Sequence, residues 1–375
     1  MDFSKYSGLG NDFVLIDCLS PHPPLPIIFP KTSNGENPNS GEGAENLLPT
    51  VDVDPFWVRQ ICNRVTGIGA DGVIFILPSP LPLPSQPPVL SVSQFGARTS
   101  ASGCTMRVFN ADGTEAEMCG NGVRCVARFL FDCLKKSVEE GWERREGERN
   151  EGEGRWNAAP KSEDKVLFVV HTLSGPRLTS FDVPSSLISV DMGPPLLRAR
   201  DIPTSLSPDT LPVIEWELSL SRQLHSLHSL PSSFSLPDSL FVTCVNMGNP
   251  HCVVFLPPET DILNYPVHAI GPLLESHPAF PARTNVEFVV TMSFTEIRMR
   301  VWERGCGETQ ACGTGACAAA VAAVLTRRCG REVDVHLTCG SLLIEWAEGG
   351  SVTMTGPAER LFDGTCTLPL RQSEG

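Results

Sequence analysis

Two cysteines stand in settings that could make them an acid/base pair. Cys119 belongs to MRVFNADGTEAEMCGNG, which begins at Met106, and Cys312 to MRVWERGCGETQACGTG, which begins at Met299. In both copies the cysteine follows the methionine by 13 residues, and over 17 ungapped positions the copies agree at Met, Arg, Val, Glu, Cys, Gly and Gly. Agreement at one offset marks a duplicated unit rather than a coincidence of composition. A tight turn into a packed helix, with cysteine as small filler, would account for one copy alone. Two copies, each with polar residues ahead of the cysteine, point to chemistry.

Each copy reads as a strand (RVF, RVW), a polar loop, a cysteine, and a glycine-rich turn that opens a helix. The free N–H groups and positive dipole end of a helix N-terminus favour an anion, either a thiolate or a bound carboxylate. Such a setting is expected to bring a cysteine pKa from about 8.5 down to roughly 3.5–7.5. Two activated thiols, one from each half of the chain, suggest a site between the halves. They could form a redox disulfide, or serve as nucleophile and resolving group. They could also act as base and acid on opposite faces of one carbon and so invert a stereocentre. In that case the carbanion beside a carboxylate needs N–H donors aimed at its oxygens, which Gly120, Asn121, Gly313 and Thr314 would supply. The sequence holds no phosphate-loop, pyridoxal-lysine or dinucleotide signature, so no cofactor is expected.

No metal is expected either, because Cys119/Cys125 and Cys312/Cys317 lack the usual zinc spacing. On a helix those steps put the partners on different faces, so Cys125 and Cys317 read as small buried hydrophobes, and the other ten cysteines likewise. There are 14 cysteines, no CxxC pair and no signal peptide, which fits free thiols in a reducing compartment. With 43 acidic against 29 basic residues and a net charge of −14, a nucleic-acid partner is not expected. No apolar run reaches the length of a membrane span. A strand-forming stretch follows Met1 at once, so no targeting peptide is expected in this chain, and the cytoplasm is its expected compartment.

The elements that must position the cysteines alternate strands with a few helices. Residues 3–17 read as strand, turn and strand, with Asn11 in a Gly-Asn-Asp turn, and GNPHCVV from Gly248 supplies a second Gly-Asn turn ahead of the second cysteine motif. Helices are expected near Pro55–Arg64 and Ala269–Glu275. Strands are expected at GVIFIL, VLFVVHT, ISVDMG, VIEWELSL, NVEFVV, VDVHLT, LLIEWAE, SVTMTG and TCTLPL. The pattern is α+β, with two pseudo-symmetric domains, each a curved mixed or antiparallel sheet wrapped around a central helix, and the active site in the cleft between them. The first domain is expected over 1–172, with insertions near 19–54, 78–104 and 137–164. The second spans 173–359, with an insertion near 205–239 in which His225 and His228 read as solvated loop residues. Residues 360–375 form a terminal strand returning to the first domain.

Five segments taken together, SKYSGLGNDFVLID, FNADGTEAEMCGNGVRCVARF, NMGNPHCVV, GPLLESHPAFPARTNVEF and VWERGCGETQACGTGACAA, resemble the diaminopimelate epimerases, cofactor-independent enzymes of lysine biosynthesis. GADGVIF and MRVWERG are more similar to the plant and algal branch than to the bacterial one. The resemblance implies interconversion of LL- and meso-diaminopimelate by a homodimer, with Cys119 and Cys312 as the two acid/base residues. It implies α-carboxylate contacts from Gly120, Asn121, Gly313 and Thr314, and further substrate contacts from Asn11, Asn110, Asn249, Asn285, Glu303 and Arg304. Glu303 and His251 would be the pair that orients the reacting ammonium and tunes the thiols. Gly72 stands where bacterial members usually carry Gln, and Cys306 where Ala is more usual. A plant-like member would be expected in the plastid stroma, its transit peptide then missing from this chain. Racemases of proline derivatives and thiol redox or sensor proteins are the alternatives, and GNPH, PARTN and ERG argue against the first.

Overall fold

The structure, a computed structural model, describes residues 1–19, 23–24, 26–28, 48–79, 102–145, 165–220 and 237–367. It divides into two units, Met1–Val190 with Pro357–Gly375, and Asp191–Gly356, and each holds one copy of the cysteine motif.

The first unit opens with the antiparallel hairpin β1 (Asp2–Gly8) and β2 (Asn11–Asp17). Leu9 and Gly10 turn it with φ of 59° and 87°, the two positive values that a type I′ turn requires. The short pair β3 (Ile27–Ile28) and β4 (Thr50–Val51) precedes helix α1 (Pro55–Cys62), where Asp54 accepts the Phe56 N–H and Pro55 occupies the first turn. Strand β5 (Gly72–Pro78) then runs parallel to β2, β6 (Ser102–Asn110) antiparallel to β5, and β7 (Glu115–Ala116) folds back on β6. Helix α2 (Gly120–Arg145) crosses over to β8 (Lys165–Thr172), parallel to β6, and β9 (Gly175–Asp182) and β10 (Ile188–Asp191) follow antiparallel.

The second unit repeats the plan with β11 (Trp216–Ser219), β12 (Ser239–Asn246), β13 (Pro250–Leu256), α3 (Val267–Glu275), β14 (Asn285–Thr291), β15 (Glu296–Glu303), β16 (Gly307–Thr309), α4 (Gly313–Leu325), β17 (Glu332–Leu337), β18 (Gly340–Trp346) and β19 (Val352–Gly356). From β12 the ladder runs antiparallel to β13, parallel to β14, antiparallel to β15, parallel to β17, then antiparallel to β18 and β19. The first unit has the same sequence of senses from β1 through β2, β5, β6, β8 and β9 to β10. The last strand, β20 (Glu359–Thr365), joins the first unit beside β1, as β11 stands beside β12 in the second.

Both faces of the middle strands are covered, which is why FVLI in β2 and NVEFVV in β14 are buried without alternation. One face carries the short helix: Trp57, Val58 and Ile61 of α1 pack on Val14, Val73 and Phe75, and Val267, Ile270 and Leu274 of α3 on Val254, Val286 and Phe288. The other face wraps the long helix. Helix α2 meets β1, β2, β6, β8, β9 and β20, and α4 meets β12 to β15 and β17 to β19, so each sheet must curve around its helix. The small residues of α4 suit this, since Gly313 to Ala323 are all buried.

Four expectations shift. The units part after Val190 and not at 172, because a break at 172 would cut the β8–β9 hairpin, paired from Lys165↔Asp182 to Thr172↔Gly175. The first unit regains the chain at Pro357 rather than at 360. Helix α2 runs to Arg145, into the stretch expected as a linker from 137, since its Lys, Glu and Arg residues are good helix formers. The closing strand lies at Glu359–Thr365, so that among the described residues only Thr365 of TCTLPL belongs to it, paired with Asp2 of β1. Most of the expected insertions (20–22, 25, 29–47, 80–101, 146–164 and 221–236, with His225 and His228) lies outside the described residues.

Candidate active site

In the second unit Cys312 is the N-cap of α4. Its Sγ accepts the Gly315 N–H at 3.4 Å and lies 3.5 Å from Thr314 Oγ1. A Cβ on Gly315 would meet Glu287 Oε1 at 2.8 Å, so the second glycine of the turn lets the helix end close on that carboxylate. Glu303, the last residue of β15, accepts the Thr309 hydroxyl, and its carboxylate acts electrostatically on the Cys312 thiol. His251 and Glu287, both fully buried, are joined from Nδ1 to Oε1 at 2.7 Å, and His251 Nε2 lies 2.8 Å from Asn249 Oδ1. Asn285 donates to Pro250 O at 2.9 Å and accepts the Arg304 N–H at 2.8 Å, so both ends of its amide hold backbone. The Arg304 guanidinium is exposed and donates to Ala282 O at 3.2 Å. Glu275 braces the same turn, taking the Gly305 N–H at 2.9 Å and the Trp302 indole at 2.7 Å.

Burial pushes the Cys312 thiol well above the ordinary range, and the carboxylates of Glu303 and Glu287 push it further. Thr314 and the Gly315 N–H pull it back only in part. The lowered thiol expected from the helix N-terminus is therefore reversed here, because desolvation and two acids outweigh one helix end. Burial raises Glu287 and Glu303 too, opposed by His251 for the first and by Thr309 for the second.

In the first unit Cys119 immediately precedes α2, and its Sγ accepts the Gly122 N–H at 3.4 Å. Asn121 donates to Asn11, and Asn11 donates to Asp71 Oδ2 at 3.1 Å. The fully buried Arg124 reaches Asn121 Oδ1 at 3.0 Å and Pro357 O at 3.1 Å. Arg64 bridges Asp12 and Asp71 at 2.7 and 2.6 Å, and Lys5 meets Asp12 at 2.8 Å. Burial pushes the Asp12 carboxyl up, but Arg64 and Lys5 outweigh it and hold it at about 2. Asn110 closes β6 and donates to Thr114 Oγ1 at 3.1 Å.

Register makes the two groups equivalent position by position. Phe13 pairs with Gly72 and Ile74 with Val108, as His251 pairs with Asn285 and Glu287 with Val301. Asn11, Phe13, Gly72, Ile74 and Asn110 thus hold the places of Asn249, His251, Asn285, Glu287 and Glu303. A Cβ on Gly122 would meet Ile74 Cδ1 at 3.0 Å, where one on Gly315 meets Glu287. The units share a scaffold, and the ionisable residues of this set, His251, Glu287 and Glu303, are confined to the one that holds Cys312.

A sequence profile described as diaminopimelate epimerase matches residues 42–141 and 243–361. The diaminopimelate epimerase of Nostoc punctiforme is 39% identical over 368 residues, covering 97% of this chain and 99% of its own. That of Pelotomaculum thermopropionicum is 38% identical over 367 residues, covering 97% and 98%. The chain belongs to the diaminopimelate epimerase family. Among solved structures, a hydroxyproline epimerase from Agrobacterium vitis shares the fold with a TM-score of 0.52 at 13% identity, covering 97% of this chain and 91% of that one. A predicted epimerase from Pseudomonas aeruginosa does so with 0.53 at 14%, covering 98% and 99%.

Within the diaminopimelate epimerase frame, the departure at Gly72 has a steric basis. A Cβ there would lie 2.5 Å from Phe109 O, so the backbone of β6 takes the space a side chain would need. Cys306 is exposed in the turn after Glu303, and Cys339 is exposed as well, so the filler reading fails for those two. The His251 ring bonds a further carboxylate, that of Glu287. Glu287 was missed although NVEFVV carries a signal for it, a carboxylate inside an otherwise apolar buried strand.

Proposed function

We propose that the protein interconverts LL-2,6-diaminopimelate and meso-diaminopimelate, the epimerisation step of lysine biosynthesis, by two-base catalysis without a cofactor. Membership of the family supports the substrate, and the matched placement of Cys119 and Cys312 at two helix N-termini carries the mechanism. One sulfur, as thiolate, takes the α-proton from one face, and the other, as thiol, returns a proton to the opposite face. The N–H groups of Gly120, Asn121, Gly313 and Thr314 take the charge that develops on the α-carboxylate. Glu303 receives the reacting ammonium, with His251 close behind it. Arg304 grips the distal carboxylate, and Asn11, Asn110, Asn249 and Asn285 complete or brace the recognition of the second amino-acid head.

Incubation with LL-diaminopimelate in deuterated water is expected to place deuterium at the α-carbon and yield the meso form. Cys119→Ala and Cys312→Ala are each expected to lower that conversion by about 10²–10⁴-fold. Full conversion by either variant would refute the two-base assignment, and activity that requires an oxidised pair would favour the redox alternative. The active form proposed is a homodimer, checked by sedimentation equilibrium. Among the described residues no helix is long and apolar enough to cross a membrane. The proposed compartment is the cytoplasm for the chain as it stands, and the plastid stroma if a transit peptide precedes it.

A further inference from the structure

Glu275, the last residue of α3, is 8% exposed and gathers three donors onto one carboxylate. Its Oε2 takes the Trp302 indole at 2.7 Å, and its Oε1 takes the Gly305 N–H at 2.9 Å and the Arg283 guanidinium at 3.2 Å. The first two contacts bracket Glu303 and Arg304 in the chain, so both residues sit on a turn anchored at either end to the same side chain. The third reaches the loop before β14, where Arg283 holds φ at 56°. A left-handed value is unfavourable for a residue with a side chain and persists only where the surroundings impose it. In the same loop Ala282 offers the carbonyl that accepts the Arg304 guanidinium at 3.2 Å. Glu275 thus ties together the turn that carries Arg304 and the loop that holds the far end of its side chain.

The fold-back of the strand does not require an acid there. In the first unit the equivalent turn, between β6 and β7, is held with the opposite polarity, by the exposed Arg59 of α1 donating to Asp112 O at 3.0 Å. Register places Phe109 and Asn110 where the second unit has Trp302 and Glu303, and Ala111 follows where Arg304 does, so that turn has no charged side chain to aim. Glu303 has a hold of its own, in the Thr309 hydroxyl and in its pairing with Gly307. What depends on Glu275 is therefore Arg304. Helix α3 is itself seated on the turn, since a Cβ on Gly271 would meet Trp302 Cγ at 2.4 Å and glycine alone lets the helix lie flush on the indole. We infer that Glu275 is a positioning residue for Arg304. Its carboxylate sets the turn and the 282–283 loop at one spacing, so the guanidinium is already oriented toward an anionic group of the substrate and need not be ordered when the substrate arrives.

This inference rests on the proposed epimerase reading for the carboxylate that Arg304 grips, but its first test does not. Glu275→Gln keeps the shape, yet its amide must turn a donor on either the indole or the Gly305 N–H. By hydrogen exchange of the full chain, read by mass, that variant is expected to lose protection over 302–306 while the peptides of α4 keep theirs. With diaminopimelate it is expected to raise KM by about 10²-fold with kcat little changed, the mark of an interaction away from the reacting carbon. Arg304→Met is expected to raise KM as well, and the double variant to be no worse than Arg304→Met alone, because a residue that acts through Arg304 then has nothing left to act on. Trp302→Phe, which copies Phe109 and removes one of the three donors, is expected to raise KM less, and it carries the same cycle with Arg304→Met if Glu275→Gln does not fold. Additive losses in the double variant, a fall in kcat at unchanged KM, or unaltered exchange over 302–306 would each overturn the inference. If the unaltered protein does not turn over diaminopimelate at all, the epimerase reading fails, while the exchange pattern still decides whether Glu275 holds the turn.

Discussion

The two thiols have the same helix-end contact and different neighbours, and that difference sets their chemistry. Position 110 is Asn in the unit of Cys119, and its equivalent in the unit of Cys312 is Glu303, backed by Glu287. Alkylation of Cys312, followed by peptide mass mapping, is expected to be slow near neutral pH and to keep rising above the pH at which an ordinary thiol has levelled. Glu303→Gln is expected to move that rise to lower pH, and an unchanged profile would show that the carboxylate does not act on the sulfur. Asp12 makes the opposite case. Its carboxyl is held at about 2 in the folded chain against 3.8 ordinarily, so it binds its proton less tightly when folded. Its stabilising effect is therefore complete above about pH 4 and is lost as pH falls through the folded value. Because Arg64 is 58% exposed, the shift is discounted to about 1 kcal/mol. Asp12→Asn is expected to cost about that much at pH 7 and markedly less near pH 2, read from urea unfolding at the two pH values.

At the scale of elements, the repeated Arg and Glu of the motif are structural. Arg107 pairs with Glu115 across β6 and β7, and Arg300 with Glu308 across β15 and β16, with Arg300 Nη2 at 2.6 Å. Both lie in hairpins of the same register, Val108↔Ala116 and Val301↔Thr309. Each pair fixes the fold-back that delivers a cysteine to its helix, which explains why these residues repeat although neither is placed on the substrate. Gly315→Ala, with its Cβ forced toward Glu287 and Cys312, is expected to cost about 1–3 kcal/mol in urea unfolding. Arg124 ties α2 to the returning chain end at Pro357, so Arg124→Ala, which leaves buried carbonyls without that donor, is expected to cost about 3 kcal/mol in the same assay.

Over the whole molecule, each unit has its own long helix and its own second core beneath a short helix. Removing Phe75 from the first of these cores or Phe288 from the second is expected to cost about 3–5 kcal/mol each, measured by denaturant unfolding. A much smaller loss for either would mean that its cluster relaxes to fill the space. The acidic excess of the chain bears on neither core, because net charge governs association rather than fold.

Much of this plan could be read from the amino-acid order, since local signals carry it. The 193-residue offset between the motifs, the period of the apolar residues, and the Gly-Asn turns located the repeat, the strands beside it and the helices after each cysteine. Only the tertiary structure decided which carboxylate meets His251, because that depends on the register of β13 against β14, strands separated by a helix. It alone decided the direction of the Cys312 shift as well, since desolvation is a property of what packs around a sulfur and not of the residues next to it in the chain. The length of α2 and the point where the units part likewise follow from which strands find partners, a choice made across the sheet rather than along the chain.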